Sequence, residues 1–442
     1  MTLRLLLIRH GLSTYNLEKR IQGRNDLSTL TEKGILQAAK TGLALKDLNI
    51  DAIYSSPLKR AADTTKELSK HHPQITTVFD NDLLEVDLGP WSGLTVHEVK
   101  EKFPDLYLTW KDSPNELTLQ NENGNSYKPI EELMHQSENF LQNLYEKYNQ
   151  DEDKNIVIVA HNAILRSLIL KILNKPNIGY RRIKLDNSSI SIFNINSYKN
   201  NEYDVQIQTL NNTAHLEQKL SPKGNSARII LVRHGETDWN KAGRFQGQID
   251  VPLNEKGKQQ AISAGNFLED IVFDQVFCSS MSRPIETAQI ILRNHPPITI
   301  QEQKGLIEIG HGLWEGKLES EISLNWNDLL TKWKQSPQKV QMPQGENIEE
   351  VSKRAMKSWK LICKKLSPHE TALVVAHDAV NKTIICNLLG LSTSDIWKIK
   401  QGNGGITIID LKATQDDLDV ITSLNITSHL GGVIDKTAQG AL

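Results

Sequence analysis

Arg9-His10-Gly11 and Arg233-His234-Gly235 each close an apolar run, "LRLLLIR" in one case and "RIILVR" in the other. Three more pairs of reactive side chains accompany them. Arg60 and Arg283 sit near the start of helical segments ("PLKRAADT", "SRPIET"), and His161 and His377 follow the apolar runs "NIVIVA" and "TALVVA". Glu85 and Glu308 occur in glycine-containing loops, "LLEVDLGPWSG" and "LIEIGHGLWEG". Two imidazoles, two guanidiniums and one carboxyl per half form a set for phosphoryl transfer. Guanidinium forks match phosphate oxygens in a bidentate way, and helix N-termini add backbone N–H donors. A neutral imidazole can attack phosphorus in line, and a nearby carboxyl can protonate the leaving oxygen and later activate water. Cationic side chains around the phosphoryl oxygens would stabilise the developing charge, so neither a metal nor a cofactor is called for.

These residues must be brought together by a scaffold, and the chain writes that scaffold twice. Asn16 repeats as Asn240, "RIQG" as "RFQG", Thr64 as Thr287, Trp91 as Trp314 and "VIVAHNAI" as "LVVAHDAV", always in the same order. A repeat this long with a fixed order of elements is a duplicated domain. The reading is a first domain over 1–216, a linker over 217–226 ("EQKLSPKGNS"), a second domain over 227–430, and a loosely held tail over 431–442. Within each half, short aliphatic runs such as "LRLLLIR", "DAIYSS" and "NIVIVAH" alternate with helical patterns such as "TEKGILQAAKTGLALKDL" and "PIEELMHQSENFLQNLYEKY". Runs without polar alternation fit strands buried on both faces of a mainly parallel sheet. The fold class expected is α/β, two tandem three-layer domains, each a sheet flanked by helices. In such sheets ligands sit beyond the carboxyl ends of the strands, where His10 and His161 fall.

Composition narrows the classes. At 442 residues the chain is too long for one ordinary core. With 51 Lys+Arg against 53 Asp+Glu, the net charge of −2 gives no support for nucleic-acid or membrane-surface binding. The apolar start "MTLRLLLIRH" reads as a first strand and not as a signal peptide. Cys278, Cys363 and Cys386 have no metal-type spacing, so a reduced, cytoplasmic protein is expected. The partner expected is a small phosphorylated metabolite, with oligomeric state left open.

At these residues the sequence resembles the histidine phosphatase superfamily, the branch that includes phosphoglycerate mutase-like enzymes. The resemblance is carried by "RHG" with its following Asn, by "QG", by the Arg of "SPLKRAADT" and "SSMSRPIET", by the Glu-x-x-x-Gly-x-Trp loop, and by the second His after an apolar strand. It implies His10 and His234 as nucleophiles and Glu85 and Glu308 as proton donors. It also implies phosphate held by Arg9, Asn16, Arg60 and His161 in one site and by Arg233, Asn240, Arg283 and His377 in the other. Gln22-Gly23 and Gln246-Gly247 are candidates for substrate contact. The sequence departs from the family pattern at Leu12 (Glu236 in the second half), at Ser92 (Glu315), and at Asn162 and Asp378, where a Gly is usual. The function implied is hydrolysis of small sugar or organic-acid phosphomonoesters through a phosphohistidine. Tandem pairs of this kind resemble proteins of photosynthetic organisms that dephosphorylate sugar phosphates. One alternative is a phosphoglycerate mutase, disfavoured because "EVDLG" and "EIGHG" replace the mutase phrase Glu-Arg-His-Tyr-Gly. Another is a division of labour, with one domain catalytic and the other sensing a phosphorylated ligand. The repeated His72/His295 and His215/His429 read as structural, Trp91 and Trp314 as packing residues, and Arg20 and Arg244 stay unassigned. Arg24, Asn25, Gln248 and Ile249 are positions where substrate identity would be set.

Overall fold

The computed structural model describes residues 2–148, 152–175, 180, 182–412 and 419–437. The chain divides into two compact units between Lys219 and Leu220, with Gln206–Leu210 and a short stretch ending at Lys184 counted with the second. Among the described residues no helix is long and apolar enough to cross a membrane.

In the first unit, the strands Thr77–Phe79, Ala52–Ser55, Lys154–Ala160 and Leu3–Arg9 lie side by side and parallel. Ile190–Lys199 then pairs antiparallel with Leu3–Arg9, and Glu202–Asn212 follows it. Leu5, Leu6, Leu7 and Ile8 are all buried, as are Ile156 to Ala160. Consecutive burial means that both faces are covered, which is why these runs show no polar alternation. The helices Glu32–Leu45 and Lys59–Ser69 pack on each other, as do Pro129–Tyr148 and Asn162–Ile172. Thr31 caps the first of these by accepting from the Gly34 N–H at 3.0 Å, the role its place before "EKG" suggests. The antiparallel pair is closed by Asn200 and Asn201 at φ 53° and 62°, a two-residue turn with both φ values positive.

The second unit repeats the plan. Ile300–Glu302, Gln275–Cys278, Thr371–Ala376 and Arg228–Arg233 are parallel neighbours, followed by the antiparallel strands Ile406–Asp410 and Val420–Ile426.

The connecting chain and the tail both make contacts of their own. The stretch 217–226 is tied down: Glu217 pairs with Lys40 at 2.9 Å, and Ser221 is buried with its carbonyl accepting from Arg228. The tail expected to be loose over 431–442 has Val433 and Asp435 buried. Its residues 438–442 lie outside the described residues. A buried carbonyl in the first stretch and a buried carboxylate in the second find hydrogen-bond partners.

Candidate active site

Strand register puts the histidines together. Arg9 pairs with Ala160 across the parallel ladder, so His10 and His161 leave adjacent strands at the same level, with ring centroids 5.2 Å apart. Ser55 pairs with Val159, which sets Ser56 beside His161; Ser56 Oγ is 2.8 Å from His161 Nε2. The second unit does the same, with Arg233 opposite Ala376, His234 and His377 at 5.1 Å, and Ser279 Oγ 2.8 Å from His377 Nε2.

The glycine after each first histidine is required by close backbone contact. A Cβ on Gly11 would stand 2.4 Å from the Gly34 carbonyl oxygen, and a Cβ on Gly34 would stand 2.1 Å from that of Leu12. Gly235 and Gly257 meet in the same way. The loop is thereby laid over the start of helix Glu32–Leu45, while Gly11 N–H donates to Thr64 Oγ1 at 3.0 Å and Leu12 N–H to Gln37 Oε1.

His10 Nδ1–H donates to the Gly11 carbonyl at 2.7 Å, and His234 donates to Gly235 likewise. This fixes the tautomer and leaves a lone pair on Nε2. In the second site that lone pair accepts from Arg283 Nε–H at 3.2 Å. Burial, then the neighbouring arginines, hold His10 and His234 well below the ordinary imidazole range, so both are neutral and nucleophilic near pH 7. The same causes keep His161 and His377 neutral.

Arg60 lies in the first turn of its helix, fully buried, and donates to the carbonyls of Gly23 (2.9 Å) and Asn25 (3.0 Å). Arg283 is held by Gly247 and Ile249. The Gln-Gly loops therefore aim the helix arginines through backbone oxygens. Arg9 donates to the Leu185 carbonyl at 2.7 Å and Arg233 to that of Gln401. Burial brings Arg9 and Arg283 down to about 10, which leaves both charged at neutral pH. Arg9 Nε, Arg60 Nε and His161 Nδ1 are buried without a hydrogen-bond partner among the described residues, as are Arg233 Nε, His377 Nδ1 and Gln246 Nε2. Buried donors are rarely left unpaired, and such a cluster of them suits an anion with several oxygens.

Glu85 and Glu308 sit at the start of the helices that follow the second histidines. Glu85 Oε1 accepts from the N–H groups of Val86, Ala163 and Ile164, and Glu308 Oε2 accepts from Asp378 N–H at 3.0 Å. Burial first, and the Asp378 charge second, raise the Glu308 carboxyl. A carboxyl beside a neutral imidazole is placed to give and take a proton.

The departures also find places. Glu236 accepts from Asn254 and pairs with Lys256 at 2.9 Å, so Leu12 at the same position removes a tether for that helix start. Glu315 accepts from the N–H groups of Gln248, Ile249 and His311, a brace that Ser92 cannot supply in full. Asp378 lies between Arg233 (3.4 Å) and Lys382 (2.9 Å), which neutralise it.

Of the residues singled out in sequence, Asn16 and Asn240 each accept from a partner asparagine that was overlooked. Asn187 donates to Asn16 Oδ1 and to the His10 carbonyl, and Asn403 does the same for Asn240 and His234. Gln22 and Gln246 accept from the capping hydroxyls of Ser13 and Thr237. Also overlooked were Ser56 and Ser279, and the pair Gln136/Arg354. Arg24 donates to the Glu85 carbonyl and Gln136 to those of Asp82 and Leu84, whereas Gln248 and Arg354 share the Glu308 carbonyl. The arginine has changed sides between the two loops. The serines and the asparagines recur in both halves ("YSSPLKR" and "FCSSMSR", "LDNSS" and "QGNGG"), and that recurrence was the available signal.

Known proteins of like sequence carry phosphatase names and, over about two-fifths of this chain, phosphoglycerate mutase names. The chain is 27% identical over 444 residues to 2-carboxy-D-arabinitol-1-phosphatase of Triticum aestivum, spanning 97% of this chain and 86% of that protein. It is 33% identical over 204 residues to phosphoserine phosphatase 1 of Hydrogenobacter thermophilus, covering 46% of this chain and 94% of that one. A solved phosphoserine phosphatase from Entamoeba histolytica, in complex with 3-phosphoglyceric acid, matches 46% of this chain and 99% of its own at 31% identity and a TM-score of 0.40. Residues 5–211 and 229–423 each match the model of the histidine phosphatase superfamily (branch 1), and the chain belongs to that superfamily.

Proposed function

We propose that the chain hydrolyses small phosphomonoesters, sugar or organic-acid phosphates, through a phosphohistidine on His10 and on His234. The observation that carries this reading is the pairing of a neutral imidazole, its Nδ1–H tied to the next carbonyl, with buried arginine and histidine N–H groups that have no other partner among the described residues. Nε2 of His10 or His234 attacks phosphorus as the ester bond opposite it breaks. Glu85 or Glu308 gives its proton to the leaving oxygen. The resulting carboxylate then takes a proton from water, whose oxygen attacks phosphorus, breaks the N–P bond and releases inorganic phosphate. Arg9 with Arg60, and Arg233 with Arg283, hold the equatorial oxygens throughout. The whole-length likeness to a 2-carboxy-D-arabinitol-1-phosphatase supports a phosphorylated sugar acid among the substrates.

The test is phosphate release from a panel of phosphorylated metabolites, with 3-phosphoglycerate isomerisation assayed beside it. Wild type, His10→Ala, His234→Ala and the double variant are compared. Phosphate release without isomerisation, abolished in the double variant, is expected. Isomerisation primed by 2,3-bisphosphoglycerate would replace hydrolysis with a mutase. Activity at one histidine only, with phosphate still bound by the other half, would assign that half to sensing.

A further inference from the structure

In the first unit, three consecutive residues set the geometry around His10. The Leu185 carbonyl accepts from Arg9, and Asn187 bridges the His10 carbonyl and Asn16. Between them, Asp186 is locked to Asn211: its N–H donates to Asn211 Oδ1 at 2.6 Å, and its Oδ2 accepts from Asn211 Nδ2 at 2.9 Å. Asn211 has a positive φ of 50°, which aims its amide at this segment. The second unit keeps nearly every part. Gln401 accepts from Arg233, Asn403 bridges His234 and Asn240, and Asn425, also at φ 50°, accepts from the Gly402 N–H at 2.8 Å. The carboxylate is what position 402 lacks, because glycine has no side chain.

Asp435 supplies it from elsewhere. Its side chain is 1% exposed, and its Oδ2 lies 3.5 Å from Asn425 Nδ2 and 3.9 Å from Lys400 Nζ. Its Oδ1 accepts from the N–H and hydroxyl of Thr437 at 2.8 and 2.7 Å. A Cβ built on Gly402 would stand 2.6 Å from Thr437 Oγ1, 2.8 Å from Asp435 Oδ2 and 2.8 Å from Thr427 Cγ2, so the carboxylate and its threonine partner lie against the face where a side chain at 402 would start. We propose that Asp435, held by the stretch 433–437, is a positioning residue for the second site, doing through Asn425 what Asp186 does through Asn211 in the first. The inference rests on the phosphatase reading above. It makes the segment after Leu430 part of the machinery that aims Arg233 and Asn240.

The experiment uses the full chain with His10→Ala, so that phosphate release reports the second site. Adding Asp435→Ala is expected to lower kcat/KM about tenfold or more, chiefly through KM, because Arg233 loses its aim on the phosphate. Asp435→Asn, which keeps an acceptor for Asn425, retains most of the activity. An active His10→Ala parent that is indifferent to Asp435→Ala would overturn the inference alone. So would an equal loss in Asp435→Asn. A His10→Ala parent that neither releases phosphate nor binds inorganic phosphate in calorimetry would overturn the phosphatase reading for this site, and the inference with it.

Discussion

Single side chains account for most of the difference between the two candidate sites. Glu308 is pushed up by burial and then by Asp378, whereas the residue at the corresponding place in the first unit is the neutral Asn162. Asp378 is itself paired with Arg233 and Lys382, and Lys382 Nζ lies 5.0 Å from the centre of the Trp397 ring. If Glu308 is the acid, it works only while protonated, so activity falls as pH rises through its pKa. Replacing Asp378 with Asn removes a charge that disfavours ionisation, and the Glu308 pKa drops. The alkaline limb of kcat against pH, measured in a His10→Ala protein, is therefore expected to move to lower pH. A limb that stays put or moves up would mean that Asp378 acts on Arg233 alone.

At the scale of elements, what was legible in the sequence were the parts fixed by local chemistry. Buried parallel strands read as unbroken aliphatic runs, and Thr31 before "EKG" announced a helix start. Both histidines fell at strand ends because the strands end there. The antiparallel pair Ile190–Lys199 and Glu202–Asn212 was not singled out, although Asn200-Asn201 between two alternating segments is a hairpin signal. Ser56, Asn187 and Gln136 could not be reached in that way. Their roles depend on which strands become neighbours and at what register, and that is decided by packing across the sheet. The glycines of "RHG" and "EKG" belong to this scale too, since each exists for the other. Gly34→Ala puts a methyl 2.1 Å from the Leu12 carbonyl oxygen, against backbone that cannot swing aside. The expected cost is about 1–3 kcal/mol in urea unfolding, as for other overpacked sites. It should be joined by a loss of first-site turnover, because the displaced loop carries His10. Unchanged stability would show that the helix start slides away freely.

Across the whole molecule, placing so many imidazoles out of water has a consequence for acid stability. Burial lowers His10, His161, His234 and His377 well below their ordinary range, brings His215 and His429 to about 4, and brings His311 to about 3. His215 and His429 use their rings as struts, Nε2 bonding the carbonyls of Ser188 and Gly404 beside the two asparagine bridges. In the unfolded chain each of these groups titrates near 6.5. Below that pH the unfolded state binds more protons than the folded one. Stability is therefore fully present above about pH 6.5 and is lost progressively as pH falls through it. Glu308, raised in the fold, pulls the other way in its own titration range, but it is one group against several. Thermal unfolding followed from pH 7.5 down to 5.0 is expected to show a steadily falling midpoint. Inorganic phosphate should offset part of the fall by binding only the folded chain. A midpoint that is flat or rises toward pH 5 would mean that the buried histidines accept protons in the folded chain. The neutral nucleophile on which the hydrolytic reading depends would then be lost as well.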